Sequence, residues 1–152
     1  MKETEIKEIT LIGLALESKT TNENRQSESD CGRLWQRFEN GNYFDKIREK
    51  ITDEIFAVYY NYEGDYTKPF SYFIGCSVSK DAEIPENMDT IKISVGSYLK
   101  FTAAGKMPDC VANKWKEIWN ANLPRAYRED FEIYDKRSKD WQNAEVDIFI
   151  SI

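Results

Sequence analysis

The sequence predicts an α+β fold in which one mixed or antiparallel β-sheet is covered on one side by two helices. Runs of β-branched and aromatic residues alternate with turn residues, and two other segments have the apolar spacing of amphipathic helices. The order strand, helix, strand, strand occurs twice, in pseudo-repeats of about 5–80 and 88–152, so residues 1–152 are predicted to form one domain. Two helices on a sheet leave a groove, where we expect a ligand.

The first half begins with a segment predicted to be a single buried strand, 5–18 (EIKEITLIGLALES). Twelve residues without an apolar side chain follow, 19–30, and we expect a surface loop there. Ser29 or Asp30, at the end of this loop, is expected to cap a helix that begins near Cys31.

The apolar face of this first helix is predicted from Leu34, Trp35 and Phe38, which fall at helical spacing. The helix is expected to end at Gly41, because glycine permits the left-handed conformation of a C-terminal cap. A shorter helical piece, 44–51 (FDKIREKI), follows in the prediction.

The second half is predicted to start with a strand over 90–105, bent or split at Gly96. A helix follows over 107–124, with Pro108 near its start. Four residues at i, i+4, i+7 and i+8 share one face of this helix: Val111, Trp115, Ile118 and Trp119.

The remaining strands are expected to form two antiparallel hairpins, one in each half. Aromatic and β-branched runs over 54–64 and 69–78 flank the turn-forming segment GDYTKP. The runs 126–135 and 144–152 flank KRSKDWQN in the same manner.

The composition narrows the functional classes. The net charge of −6, with no run of Lys and Arg, argues against direct nucleic-acid binding and favours the approach of cations. There is no histidine, and the three cysteines, Cys31, Cys76 and Cys110, are too widely spaced for a CxxC pair. We therefore expect reduced thiols, no metal site and no cofactor.

The sequence shows no signal peptide and no membrane helix, and we therefore expect a cytoplasmic protein. The N-terminal segment MKETEIKEIT is charged and lacks the apolar stretch of a signal peptide. No segment approaches the roughly 18 apolar residues that a membrane helix needs, so no membrane association is expected.

Glu132 is the principal candidate for a binding residue. It alternates with Phe131 and Ile133 on the predicted strand, so it faces the same side as Tyr134. A buried carboxylate needs a partner, which a ligand cation or the Tyr134 hydroxyl would supply. The structural alternative is a solvated carboxylate on an edge strand, or one paired with Lys or Arg.

Aromatic residues make up 14% of the chain, more than a core requires, and they are candidates for the walls of a cleft. Trp35 is either such a wall or an ordinary core residue, and Trp119 is favoured over Trp115 for the groove. Glu145 and Asp147 on the last strand would add negative potential, although an ordinary solvent face is the preferred interpretation. The candidate rings on strands are Tyr59, Tyr60, Tyr72, Tyr98, Phe101 and Tyr127. Alternation places neighbours such as Tyr59 and Tyr60 on opposite faces, so about half of this set is expected to reach the cleft.

Four segments resemble the GyrI-like small-molecule-binding family, the effector-binding domain of AraC-type and MerR-type multidrug regulators. They are GRLWQRFENGNYFDKI, YYNYEGDYTKPFSYFIGCSV, VGSYLKFTAAGKMPDCVANKWKEIW and DFEIYDKRSKDWQNAEVDIFISI, in the family's order. The resemblance extends from about residue 5 to the end of the chain. It implies a duplicated βαββ fold and a cleft for amphipathic, often cationic, aromatic molecules.

The resemblance also implies roles for individual residues. Glu132 matches the glutamate at the bottom of the family's cleft, and Tyr98 falls in a family-like strand position, which makes it the first choice among the strand rings. The predicted ligand-binding set is Glu132, Trp35, Tyr98, Trp119, Tyr59, Tyr72 and Phe101. Family regulators carry a helix-turn-helix segment ahead of this domain, whereas few residues precede the first strand here, so transcription control by this chain alone is not expected.

The preferred function is a stand-alone binding protein for hydrophobic or cationic aromatic small molecules. One alternative is a hydrolase of strained electrophiles such as cyclopropane-bearing alkylators, in which Glu132 activates water and Tyr98 or Tyr134 donates to the developing oxyanion. A second alternative is a modulator of DNA gyrase, and a separate regulator protein is a further possible partner. The sequence names neither the ligand nor the oligomeric state.

Overall fold

Eight strands form one antiparallel sheet in the computed structural model, which describes residues 2–152. The strands are β1 (Lys2–Ile6), β2 (Ile9–Ala15), β3 (Ile55–Tyr60), β4 (Ser71–Ser77), β5 (Asp89–Ile93), β6 (Gly96–Gly105), β7 (Asp130–Tyr134) and β8 (Ala144–Ser151). The helices are α1 (Gln26–Asn40), α2 (Tyr43–Lys46) and α3 (Asp109–Asn120), and single 3-10 turns lie at Glu23–Arg25 and Lys136–Ser138. Both long helices pack on the same face of the sheet, which confirms the predicted α+β class.

The order of the strands, β1-β6-β8-β7-β3-β4-β2-β5, is symmetric about the central β7–β3 pair. The duplicated βαββ arrangement is thus confirmed, with one short strand added to each half. Each added strand pairs with the other half, β1 with β6 and β5 with β2. The two predicted hairpins are present as β3–β4 and β7–β8.

The sheet curls until its two ends approach each other. β1 and β2 lie near opposite ends of the strand order, yet Lys7 and Glu8 alone connect them. Two connecting residues span about 11 Å at most. Ser94 and Val95 join β5 to β6 under the same constraint. The face of the sheet without long helices is therefore enclosed by the curl, and we call it the inner face.

The prediction of one strand over 5–18 is wrong, because the charged pair Lys7-Glu8 separates β1 from β2. Splitting the segment lets β1 cross to the other end of the curled sheet. The bend predicted at Gly96 is confirmed, since β5 ends at Ile93 and β6 begins at Gly96, where φ is +158°.

Helix α1 begins at Gln26, five residues earlier than predicted, so neither Ser29 nor Asp30 is its cap. The first turns are exposed and therefore carry polar residues, which produced the pattern of a loop. Asp30 instead accepts a hydrogen bond of 2.7 Å from the Thr20 hydroxyl. The left-handed residue after α1 is Asn42 (φ 55°) rather than Gly41 (φ −82°), because asparagine also tolerates this conformation.

The inner face is filled by rings and branched side chains from both halves. Phe131 stacks on Phe149 with centroids 4.7 Å apart, and Tyr98 meets Phe131 edge to face at 5.5 Å. The Tyr98 hydroxyl donates to the carbonyl of Ser94 over 2.7 Å. This cluster lies inside the curl of the sheet, on the opposite face from the helices.

The other face, the outer face, carries the two helices. Leu34 and Phe38 of α1 pack over β2 and β4, while α3 packs over β6 and β8 through Val111, Trp115 and Ile118. Because each helix covers its own half, the strands at the centre of the sheet are left open to a cavity between them. Within residues 2–152, no helix is long and apolar enough to cross a membrane.

Candidate functional site

A cavity of about 700 Å³ lies between α1 and α3 above the centre of the sheet. This volume suits a drug-sized molecule. Its floor and walls include residues of both helices, of β3, β4 and β7, and of the segments that follow β3 and α3. The aromatic, thiol and charged residues that line its deeper part and its mouth are Cys31, Tyr59, Tyr62, Tyr66, Tyr72, Trp115, Trp119, Arg125, Glu132 and Tyr134.

Glu132 lies at the floor of the cavity, on the central strand β7. Its side chain is 1% exposed. Three neutral donors bind its carboxylate: Trp115 Nε1 and the Tyr59 hydroxyl reach Oε2 at 2.6 and 2.9 Å, and the Tyr134 hydroxyl reaches Oε1 at 2.7 Å. Among the residues that the structure describes, no Lys or Arg forms a salt bridge with it.

The environment of Glu132 changes its acidity. Burial raises the pKa of the Glu132 carboxyl above its ordinary value, and the hydrogen bonds from Trp115, Tyr134 and Tyr59 offset part of that rise. Burial and the charge of Glu132 also raise the pKa of the Tyr59 and Tyr134 hydroxyls well above the ordinary value, so both remain protonated donors. A cation in the cavity would stabilise the ionised carboxyl.

Aromatic rings surround the carboxylate. Tyr59 contacts Trp115 and Tyr72 edge to face, with centroid distances of 4.9 and 5.0 Å. Such contacts fix the ring orientations and present both faces and edges to the cavity. Cys31 of α1 also lines the cavity, and burial together with the charge of Glu132 raises the pKa of its thiol, so it contributes a neutral side chain.

The mouth of the cavity is formed by Tyr66 and Trp119, whose rings stack at 5.4 Å with an angle of 7°. Tyr66 belongs to the β3–β4 connection, and Asn22 holds that connection through a 2.8 Å hydrogen bond from its side-chain amide to the Tyr66 carbonyl. Both rings are half-buried. A ligand entering the cavity would therefore pass two flat aromatic surfaces.

A buried ion pair forms the cavity wall near Tyr62. Arg125 Nη2 lies 2.7 Å from Asp130 Oδ2, and the two side chains are 5% and 0% exposed. The Tyr62 hydroxyl donates to the same oxygen at 2.6 Å, while the Ser151 amide and hydroxyl donate to Oδ1 at 2.8 and 3.1 Å. Asp130 and Glu132 lie on the same side of β7, but Asp130 is paired with Arg125 and does not line the cavity, whereas Glu132 lines it without a charged partner.

Five of the sequence-predicted site residues come together at the cavity. They are Glu132, Tyr59, Tyr72, Trp119 and Tyr134. Trp115, which the sequence analysis ranked below Trp119, also lines the cavity and donates to Glu132. Tyr60 packs on the inner face, as the alternation with Tyr59 predicts.

Three predicted binding residues do not line the cavity. Tyr98 lies on the inner face with 0% exposure, because β6 turns its neighbour Leu99 toward α3. Phe101 faces α3 but packs into the core beneath it. Trp35 contacts two residues that line the cavity. Its Nε1 donates to the Tyr72 hydroxyl over 2.9 Å, and its ring centroid lies 4.9 Å from that of Tyr134.

The acidic residues of the last strand, Glu145 and Asp147, do not line the cavity. Asp147 lies 2.6 Å from Arg137 and 3.7 Å from Lys100, and it accepts a hydrogen bond from Thr102. Glu145 is exposed. Within residues 2–152, no group of three or more His, Cys, Asp or Glu side chains is placed to hold a metal ion.

Sequence reasoning missed Tyr62, Tyr66, Cys31 and Arg125 as cavity residues. Tyr62 and Tyr66 lie in the connection after β3, where no periodicity indicates a direction. Cys31 was expected at the start of α1, whereas it lies inside the helix. The chain contains more tyrosine than a core requires, and this excess is the sequence feature that could have indicated Tyr62 and Tyr66 as cavity residues.

Comparisons with known proteins agree with this architecture. An integron cassette protein of Vibrio cholerae, VCH_CASS2, is 30% identical, with a TM-score of 0.73 over 99% of this chain and 94% of that chain. SAV2435, solved bound to tetraphenylphosphonium, has the same fold at 22% identity, with a TM-score of 0.78 over 99% of this chain and 92% of that chain.

A sequence relative, YobU of Bacillus subtilis (strain 168), is 31% identical over 101 residues, which are 64% of this chain and 63% of YobU. This chain therefore aligns with less than two thirds of YobU. The resemblance to GyrI-like effector-binding domains is confirmed by these relatives and by the family comparison. Residues 4–152 match the Cass2 family of integron-associated effector binding proteins, and the chain belongs to this family.

Proposed function

We propose that the small molecule bound by this chain is a lipophilic aromatic cation, held between α1 and α3 with Glu132 as its counter-charge. The observation that carries this proposal is the buried Glu132 carboxylate at the cavity floor, which is hydrogen-bonded by three neutral groups and forms no salt bridge with any Lys or Arg of residues 2–152.

The charges near the floor of the cavity support a cationic ligand. Asp130 is neutralised by Arg125, whereas the donors to Glu132 carry no charge. A buried carboxylate is costly unless something compensates it. At an effective dielectric constant of about 20, opposite charges about 4 Å apart attract by roughly 4 kcal/mol. A ligand cation near Glu132 would gain part of this energy.

The rings support an aromatic ligand. Tyr59, Tyr72 and Trp115 surround the carboxylate, and Tyr66 and Trp119 form the mouth. Aromatic faces attract cations by about 0.5–2 kcal/mol each, and ring–ring contacts add about 0.5–1.5 kcal/mol. The tetraphenylphosphonium bound by SAV2435 is a cation of this type, on the same fold.

The geometry at Glu132 favours binding over hydrolysis. Both carboxylate oxygens already accept hydrogen bonds, two at Oε2 and one at Oε1. A carboxylate offers about four acceptor positions, so three are occupied and one, on Oε1, remains for a water molecule or a ligand group. The three donors hold the carboxylate in one orientation, which suits a counter-charge for a bound cation.

Calorimetric titration with two ions of the same shape tests the proposal. Tetraphenylphosphonium and tetraphenylborate have nearly the same size and opposite charges. We expect the phosphonium to bind with one-to-one stoichiometry and the borate to bind at least tenfold more weakly. Equal binding of the two ions, or binding of the borate alone, would contradict a negative cavity.

A further inference from the structure

Arg125 carries donors that the protein itself does not use. Its Nη2 is bound to Asp130, but Nε and Nη1 are buried and have no acceptor among residues 2–152. Buried donors of a charged group are rarely left without a partner, because the lost hydration costs free energy. Arg125 lines the cavity, so a ligand that enters it meets this side chain, and the two donors become available to an acceptor on the ligand when the guanidinium turns toward it.

Neighbouring residues keep the guanidinium beside the cavity. Its carbon atom lies 4.2 Å from the centroid of the Tyr127 ring and 6.0 Å from that of Trp115. Tyr127 adopts a left-handed backbone conformation (φ 54°), which a tyrosine rarely takes, and its ring lies against Arg125. The ion pair with Asp130 restrains the third side.

Arg125 and Glu132 both contact Trp115. Trp115 donates its Nε1 to Glu132 and presents its ring to Arg125. Asp130, which holds Arg125, is two residues from Glu132 on the same side of β7, a separation of about 7 Å along a strand. The cavity lining therefore includes a negative group and, nearby, a guanidinium with two unused donors.

From this arrangement we infer that the ligand is an aromatic cation that also carries a hydrogen-bond acceptor, such as a carbonyl oxygen, which binds Arg125 while the cationic group lies near Glu132. This inference rests on the proposed function and adds a second recognition position to it. It predicts a preference that charge and apolar area alone would not produce.

Two phosphonium ions that differ in one group provide the test: (4-acetylphenyl)triphenylphosphonium and (4-isopropylphenyl)triphenylphosphonium. The substituents have nearly the same shape, and the acetyl group alone carries an acceptor. We expect the acetyl compound to bind roughly 10- to 100-fold more tightly, the range for a hydrogen bond to a charged group. Equal affinity in the unmodified protein would overturn the inference.

Variants then assign the preference to Arg125. Arg125→Lys keeps a cation for Asp130 and removes Nε and Nη1, so we expect it to bind both compounds with equal affinity. Arg48→Lys, at an exposed arginine that does not line the cavity, is the matched control and should keep the preference. Retention of the preference in Arg125→Lys would also overturn the inference, and binding of neither compound to the unmodified protein would contradict the proposed function itself.

Discussion

Ala57 lies directly opposite Glu132 in the central β3–β7 pair, where the two halves of the chain meet. The duplicated fold thus places a methyl group and a carboxylate at neighbouring positions in the middle of the sheet. Both side chains are buried on the outer face. The cavity consequently has one carboxylate at its floor rather than a repulsive pair, which suits a ligand with a single positive charge.

Cation affinity should depend on pH. The pKa of Glu132 is raised above that of an ordinary glutamate, and a bound cation favours the ionised form. We expect the affinity for tetraphenylphosphonium to fall as the pH is lowered through this raised pKa, with protons released on binding when the titration starts below it. Calorimetry in buffers of different ionisation enthalpy measures this release, and a constant affinity from pH 8 down to pH 4 would contradict the role of Glu132.

The stability of the ligand-free protein should respond in the opposite sense. Between the ordinary and the raised pKa, the folded state holds a proton that the unfolded state has lost, so the contribution of Glu132 to stability decreases as the pH rises through this window. The difference in free energy of unfolding between the unmodified protein and Glu132→Gln should therefore shift in favour of the variant with rising pH. Urea unfolding at several pH values measures it, and a pH-independent difference would refute the burial effect.

Removing one donor should shift the titration of Glu132. Tyr134→Phe deletes the hydrogen bond to Oε1 and leaves the ring in place, so the pKa of Glu132 should rise further. The pH midpoint of cation binding is expected to move upward in this variant. Tyr60→Phe on the inner face is the control and should leave the midpoint unchanged. A shift of the same size in both variants would mean that the effect is not local to Glu132.

Tyr98 should contribute to stability and not to binding. Tyr98→Phe removes the 2.7 Å hydrogen bond to the Ser94 carbonyl inside the inner-face core, which costs about 1 kcal/mol of unfolding free energy. Affinity for the phosphonium ion should stay the same, because the side chain does not line the cavity. Loss of affinity without loss of stability would restore Tyr98 as a binding residue.

The stacked rings of Tyr66 and Trp119 at the mouth of the cavity should contribute to ligand affinity and have little effect on folding. Trp119→Ala removes the ring that stacks on Tyr66 at the mouth, and we expect roughly three- to tenfold weaker cation binding, as for the loss of one aromatic contact. Trp141→Ala is the matched control, because Trp141 is 57% exposed and does not line the cavity. Equal effects of the two substitutions on affinity would exclude a specific role for Trp119.

The parts of the fold that could be predicted are those with local signals. The hairpins of β3–β4 and β7–β8 follow from aromatic runs separated by turn residues, and α3 follows from its apolar spacing. The crossing of β1 and β5 to the other half could not be predicted, since it depends on the curl of the whole sheet. No local pattern specifies which strand a short edge strand will meet.

In the candidate site, too, the residues with local sequence signals could be predicted and those that depend on the whole fold could not. Glu132 and Tyr134 could be placed on one face because strand alternation is local. Alternation did not say which face of β6 meets the helices, and Tyr98 was therefore assigned to the wrong side. Arg125 escaped prediction because its position depends on an ion pair with Asp130 and on the unusual backbone of Tyr127.

The most direct test of the proposed function is the dissociation constant of tetraphenylphosphonium for Glu132→Gln, measured by calorimetry at neutral pH. The substitution keeps the size of the side chain and removes its charge, and Glu145→Gln at an exposed glutamate serves as the control. We expect roughly 10- to 100-fold weaker binding for Glu132→Gln and unchanged binding for the control, since tenfold corresponds to about 1.4 kcal/mol. Unchanged affinity in Glu132→Gln would contradict the central claim that this carboxylate is the counter-charge of the ligand.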